Sequence, residues 1–188
     1  MTVEELYDRE AIREVIYRYC HAIDRLDPDM LRGVYWPEAV DDHAFISTGV
    51  DGFIAWSMDL VAACVASQHH VGNILIYLEN DSARVETYVN SYLRIEGPSA
   101  PHWRTKPEPI PESEKGKFTE LSTGSRYLDR MEKREGVWRI SSRKLVQDWY
   151  RVGDAQNWAG YPYAGGHCLG TLDQTDPGFL LFEGVKWR

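Results

Sequence analysis

The 188-residue sequence predicts an α+β fold in which three N-terminal helices pack on a curved, mostly antiparallel sheet of four to six strands. The change of period along the chain carries this. Apolar residues recur at spacings of three and four up to about Val65, as on one face of a helix, and from His70 onward they alternate in twos, as in a strand. A sheet half wrapped by helices encloses a cone, and such cones make small-molecule pockets.

Ile12, Val15, Ile16, Tyr19 and Ile23 place the first helix between Val3 and Ile23. In "DRLDPDML", Asp27 is the N-cap of a second, short helix, with Pro28 at its first position and Asp29 in its first turn. "WPEAVDDHAFIS" breaks at Pro37 and alternates into a short strand. Phe53, Ile54, Leu60, Val61, Cys64 and Val65 then mark a third helix, expected to end near His69. "VGNILIYL" and "ARVETYVNSYLRIE", joined by a turn at Asn80-Asp81, read as a hairpin with Val85, Thr87, Val89, Ser91, Leu93 and Ile95 on one face. The five prolines of "GPSAPHWRTKPEPIPESEKGK" mark a long loop, a lid or rim of the pocket. Two further strands fold at Glu135-Gly136. Residues 1–150 are thus expected to form one domain, with 151–188, rich in Gly and aromatics, docking on the pocket or on a neighbouring subunit.

A net charge of -8 disfavours a sequence-independent grip on nucleic acid. No apolar run approaches the roughly 20 residues of a membrane helix, and "MTVEELYDRE" is no secretory leader, so a cytoplasmic protein is expected. Cys20, Cys64 and Cys168 lie too far apart for a metal motif or disulfide framework and read as reduced packing residues. Neither cofactor nor metal is expected; His43 as a metal ligand with Asp41, Asp42 or His70 lacks any supporting spacing.

"REAIREVIYRYCHAID", "VYWPEAVDDHAF", "HHVGN", "ARVETY" and "RYLDRMEKREGVWRISSRK" follow one another as in SnoaL-like proteins of the NTF2-like (nuclear transport factor 2-like) superfamily, which the chain resembles from Val3 to Trp149. The resemblance implies an NTF2-like cone-shaped α+β barrel and a layout like that of scytalone dehydratase, bile-acid 7α-dehydratase and hexachlorocyclohexane dehydrochlorinase. Those relatives imply a homotrimer. In the dehydratase-like branch an aspartate at the end of the first helix orients a histidine at the start of the strand after the third helix; the matching positions here are Asp24 and His70. Tyr19 matches a polar residue five before the aspartate, and His43 stands where relatives have a tyrosine. An arginine late in the barrel aligns with Gln147 or with Arg134, depending on the relative.

A histidine beside a carboxylate works as a general base near neutral pH. His70, held by Asp24, is therefore expected to remove a proton from carbon, while Tyr19 and His43 hold the substrate oxygen or protonate a departing hydroxyl. Read without the resemblance, several of these residues are unremarkable. His69 points away from His70 along an alternating strand and reads as surface. Helix arithmetic puts Asp24 roughly 125° from the centre of the apolar face, toward solvent. Tyr19 lies in the apolar stripe and reads as core. Arg126, Arg130, Arg134 and Arg143 read as a solvated sheet face from which one arginine turns inward. Trp36, Trp56, Trp138 and Trp149 read as packing.

Two functions follow. One is a cofactor-independent lyase or isomerase on a small apolar molecule such as a steroid, polyketide, terpenoid or aromatic metabolite. The same base would also serve a cyclase. The other is a non-catalytic small-molecule binder or a dioxygenase β-type subunit.

Overall fold

Helix α1 (Val3–Asp24) begins on a capping box: the Thr2 hydroxyl accepts from the Glu5 amide, and the Glu5 carboxylate accepts from the Thr2 amide. Its face of Ile12, Val15, Ile16, Tyr19 and Ile23 is buried. The chain reverses through Leu26, which sits at φ +53°, and helix α2 (Pro28–Gly33) starts on the Asp27 cap as its sequence requires. Strands β1 (Tyr35–Asp42) and β2 (Ser47–Gly49) lead into α3 (Val50–Ala62). Four long strands follow: β3 (Cys64–Glu79), β4 (Ser82–Glu96), β5 (Phe118–Arg134) and β6 (Val137–Ala155). A single turn of helix, α4 (Pro177–Leu181), comes last. The computed structural model describes residues 1–43, 46–97, 110–155, 170–182 and 185.

The sheet order is β2-β1-β6-β5-β4-β3. Every pairing is antiparallel except β1 with β6, which is parallel. The three N-terminal helices pack on one face, and the core forms between them and the inward side chains of β4, β5 and β6. This is the expected α+β cone, open rather than closed. The third helix is shorter than expected, because Cys64 and Val65 belong to β3. Asn80 and Glu135, at φ +56° and +51°, and Gly136, at +80°, make the two anticipated turns.

Three bulges decide which side chains face inward. In β3 the register shifts between Val71 and Ile74. Ser67, His69 and Val71 face in before it, and Ile74, Ile76 and Leu78 after it. In β6 the shifts lie opposite Arg130/Met131 and Gly124/Ser125. The inner residues therefore run Trp138 and Ile140, then Arg143, Leu145 and Gln147, then Tyr150 and Val152. Each extra residue reverses the alternation.

The proline-rich loop at residues 98–109 lies outside the described residues, as do most of 151–188 beyond β6. Where the loop leaves and rejoins the sheet, the Gly97 amide donates to the Lys117 carbonyl and the Thr119 hydroxyl to the Gly97 carbonyl. The described C-terminal residues rest against the end of α1: Leu172 packs on the core, Arg25 pairs with Asp176 at 3.3 Å, and Phe182 meets the His21 ring edge-on. Among the described residues, no helix is long and apolar enough to cross a membrane.

Candidate active site

A cavity of about 580 Å³ opens between α1, α3 and the inner face of the sheet. Its lining is largely apolar, with Phe53, Trp56 and Leu121 among the walls, and its polar groups include Tyr19, His43, His69, Ser125 and Gln147. That composition suits a small, mostly apolar organic molecule held by a few polar contacts.

Asp24 stands at the last residue of α1, with 7% of its surface exposed. Helix periodicity alone points it outward, but β3 runs past the helix end and supplies three donors. The Ser67 hydroxyl donates to Oδ1 at 2.6 Å, the His69 amide to Oδ2 at 2.7 Å, and the His69 ring meets Oδ1 through Nδ1 at 2.7 Å. Burial pushes the Asp24 carboxyl up, yet His69, Ser67 and the His69 amide together outweigh it and hold the carboxyl below the usual carboxylate range. An ionised carboxylate only accepts, so His69 Nδ1 carries the hydrogen, and in the neutral imidazole the lone pair is then on Nε2. Nε2 has no hydrogen-bond partner among the described residues, and the ring lines the cavity.

The histidine on the cavity is thus His69, and the expected positions of the pair are reversed. His70 is exposed on the outer face, paired across the strands with Asn90. Counting back in twos from Ile74, Ile76 and Leu78 puts His70 inside; the bulge after Val71 breaks that count.

Tyr19 is buried on the cavity wall, where burial pushes its phenol above the usual range. His43 also lines the cavity, packed against Phe53, Trp56 and Tyr127, and its Nδ1 lies 2.9 Å from Asp41 Oδ1. Asp41 is 1% exposed and accepts from the Tyr35 hydroxyl at 2.6 Å through its other oxygen. Gln147 reaches the cavity wall. Arg134 does not: it lies on the outer surface, ion-paired with Glu38 and Glu132 and stacked on Trp36, because the late turn carries it to the far end of the sheet. Arg143 is the arginine that turns inward. Its guanidinium donates twice to Asp129, at 2.7 Å each, with both side chains fully buried, and sits 4.0 Å from the ring centres of Tyr19 and Tyr127. Burial pushes the Asp129 carboxyl up against the pull of that guanidinium.

Sequence reasoning missed His69 and Ser67 as parts of the site, and it left open which arginine turns inward; the Arg143–Asp129 pair does not line the cavity but lies buried against its Tyr19 and Tyr127 walls. The available clue to the first two was the odd-numbered run Ser67, His69, Val71. Arg143 offered none, since strict alternation from Trp138 and Ile140 directs it outward. Among the described residues, no group of three or more His, Cys, Asp or Glu is arranged to hold a metal ion.

From residue 4 to residue 144 the sequence matches the SnoaL-like domain. The chain belongs to the SnoaL-like family. Solved structures agree on the fold of this SnoaL-like protein. A protein from Novosphingobium aromaticivorans DSM 12444, provisionally named scytalone dehydratase, superposes with a TM-score of 0.63 at 19% identity, covering 84% of this chain and 95% of that one. A type 2 hexachlorocyclohexane dehydrochlorinase (LinA) gives 0.67 at 15% identity, covering 85% and 98%. The LinA-type3 enzyme of Novosphingobium barchaimii LL02 gives 0.64 at 15% identity, covering 80% and 93%. At these identities the likeness concerns the SnoaL-like cone alone. Comparison with curated proteins finds no match.

Proposed function

We propose that this SnoaL-like protein is a cofactor-independent lyase of the dehydratase type, acting on a small apolar metabolite with a C–H bond next to a carbonyl. The observation that carries the reading is the His69 ring, anchored through Nδ1 to Asp24 at 2.7 Å on the wall of the cavity. In this reading Nε2 takes the proton from carbon, and Asp24 fixes the tautomer and stabilises the imidazolium that forms. Tyr19, His43 and Gln147 are the polar groups left to hold the substrate oxygen and its leaving group. The names of the dehydratase and dehydrochlorinase structures of the same fold agree with elimination chemistry. The homotrimer belongs to the proposal as well, with Leu75, Tyr77 and Tyr88 exposed on the outer sheet face; a monomer in sedimentation equilibrium overturns it.

The test is turnover of a panel of β-hydroxy ketones, including 4-hydroxy-4-phenylbutan-2-one, followed by enone absorbance. His69→Asn is expected to lose about 10²–10⁴-fold in rate, the worth of a positioned general base, while His70→Ala keeps the wild-type rate. Ligand binding without turnover across the panel places the protein among non-catalytic binders. Equal activity of His69→Asn and wild type removes His69 as the base.

A further inference from the structure

The cavity carries a second histidine built like the first. His43 and His69 each present a ring to the same space, and each has Nδ1 engaged by a buried aspartate, at 2.9 Å and 2.7 Å. Elimination by base alone requires nothing at His43. Yet Asp41 is 1% exposed and uses its two oxygens on two partners, the His43 ring and the Tyr35 hydroxyl. Tyr35 is itself buried at the edge of the Tyr19 and Phe53 rings, so its hydroxyl is fixed. A buried carboxylate is costly unless its partners do something for it, and here it sets the angle and tautomer of a single imidazole. His43 Nε2 has no hydrogen-bond partner among the described residues.

We infer that Asp41 and His43 form a second acid–base unit, in which Asp41, anchored by Tyr35, is a positioning residue and the His43 imidazolium is the proton donor to the departing oxygen. The inference rests on the lyase reading and narrows it to substrates whose leaving group is a hydroxyl that must be protonated to depart, namely β-hydroxy carbonyl compounds. In the step, His69 Nε2 takes the proton from the α-carbon, and the electron pair of that C–H bond becomes the new carbon–carbon π bond. The C–O bond breaks toward oxygen, which takes the proton from His43 Nε2 and departs as water. Proton exchange with solvent returns His69 to imidazole and His43 to imidazolium. Nothing is oxidised or reduced.

The surroundings of His43 suit this assignment. Its ring packs against Phe53 and Trp56 on α3 and Tyr127 on β5, Asp41 near the end of β1 holds Nδ1, and the Asp129 carboxylate on β5 lies close enough to interact with it electrostatically. Arg143 is neutralised by its own bidentate bond to Asp129, which leaves Asp41 as the carboxylate in contact with the ring. Tyr19, the other candidate donor, is a phenol that burial makes a weaker acid still, whereas an imidazolium gives up its proton readily.

The test compares two probes that differ in the leaving group alone: 4-hydroxy-4-phenylbutan-2-one, whose hydroxyl must be protonated to leave, and its 4-aryloxy analogue bearing a nitrophenolate, which leaves without a proton. Four proteins are assayed: wild type, Asp41→Asn, His43→Gln and His69→Asn. Asp41→Asn and His43→Gln are expected to slow the hydroxy ketone about 10²-fold and the aryloxy ketone less than about threefold. His69→Asn should slow both. Because Asp41 is buried, its variant is first checked by thermal melting; His43→Gln, whose side chain is 16% exposed, carries the test if Asp41→Asn does not fold. Equal losses on both probes, or none on the hydroxy ketone, overturn the second unit and leave the base assignment standing. If His69→Asn spares both probes, the lyase reading itself falls.

Discussion

Replacing Asp129 by Ala strips the partner from a cation that cannot reach water. The Arg143 and Asp129 side chains are each 0% exposed and joined by two bonds of 2.7 Å. Two charge-assisted bonds at about 1.5–3 kcal/mol each give a loss of about 3–6 kcal/mol, and breaking a buried ion pair by removing one partner costs about 3–5 kcal/mol. The two routes agree. Solvent screening does not reduce the figure, because neither group touches solvent. At about 2–4 °C per kcal/mol for a chain of this length, the melting temperature should fall by roughly 6–20 °C. Urea unfolding followed by far-UV circular dichroism measures it, with an internal control: Arg126 and Asp148 form the same bidentate geometry, at 2.9 Å for both bonds, on the exposed face. Asp148→Ala should leave the urea midpoint almost unmoved. The double variant Asp129→Leu/Arg143→Met, which removes both charges, should recover most of the loss. A loss below about 1 kcal/mol for Asp129→Ala refutes the reasoning.

Asp24, held below the ordinary carboxylate range, contributes stability that is fully present above the unfolded-state carboxylate pKa of about 4 and is lost as pH falls through the folded value. The urea-midpoint gap between wild type and Asp24→Asn should accordingly be flat near neutrality and shrink in acid; a gap that persists in acid sinks the assignment. Gly124 lies directly opposite Trp149, and a Cβ there would collide with the indole Nε1, so Gly124→Ala should displace the indole and destabilise by about 1–3 kcal/mol, seen as a red-shifted Trp149 emission with the other tryptophans replaced. The buried Cys20 and Cys64 thiols are pushed up to about 12 and should resist iodoacetamide at pH about 8 in the native protein, reacting once it is unfolded; peptide mapping by mass spectrometry decides.

Much of the frame was legible because it follows from local chemistry. The Asp27-Pro28 start of α2 and the turns at Asn80 and Glu135 depend on a few neighbouring residues, and the inner face of β4 depends on uninterrupted alternation. The end of α3 is hidden in the sequence because Cys64 and Val65 continue an apolar pattern that helix and strand share. The site was harder, since its residues sit where the pattern breaks. His69 and Arg143 each lie beyond a bulge, and a bulge depends on the pairing of two strands rather than on either sequence alone. Alignment with relatives directs Arg134 toward the pocket, whereas Glu38, Glu132 and Trp36 fix it on the outside. Asp24 contradicts its own helix, because its partners come from a strand forty residues away.

The three donors that β3 offers to Asp24 have unequal fates under mutation. Take away the His69 imidazole, and the Ser67 hydroxyl and the backbone amide of residue 69 still grip the carboxylate, so the end of α1 stays fastened to the edge strand. Take away Asp24, and the fastening and the imidazole's anchor vanish together. With His69 as the proposed base, reactivity in this frame would be erased by one change that the architecture barely feels, and a lineage could drift from transforming a ligand to merely carrying it while the vessel keeps its shape.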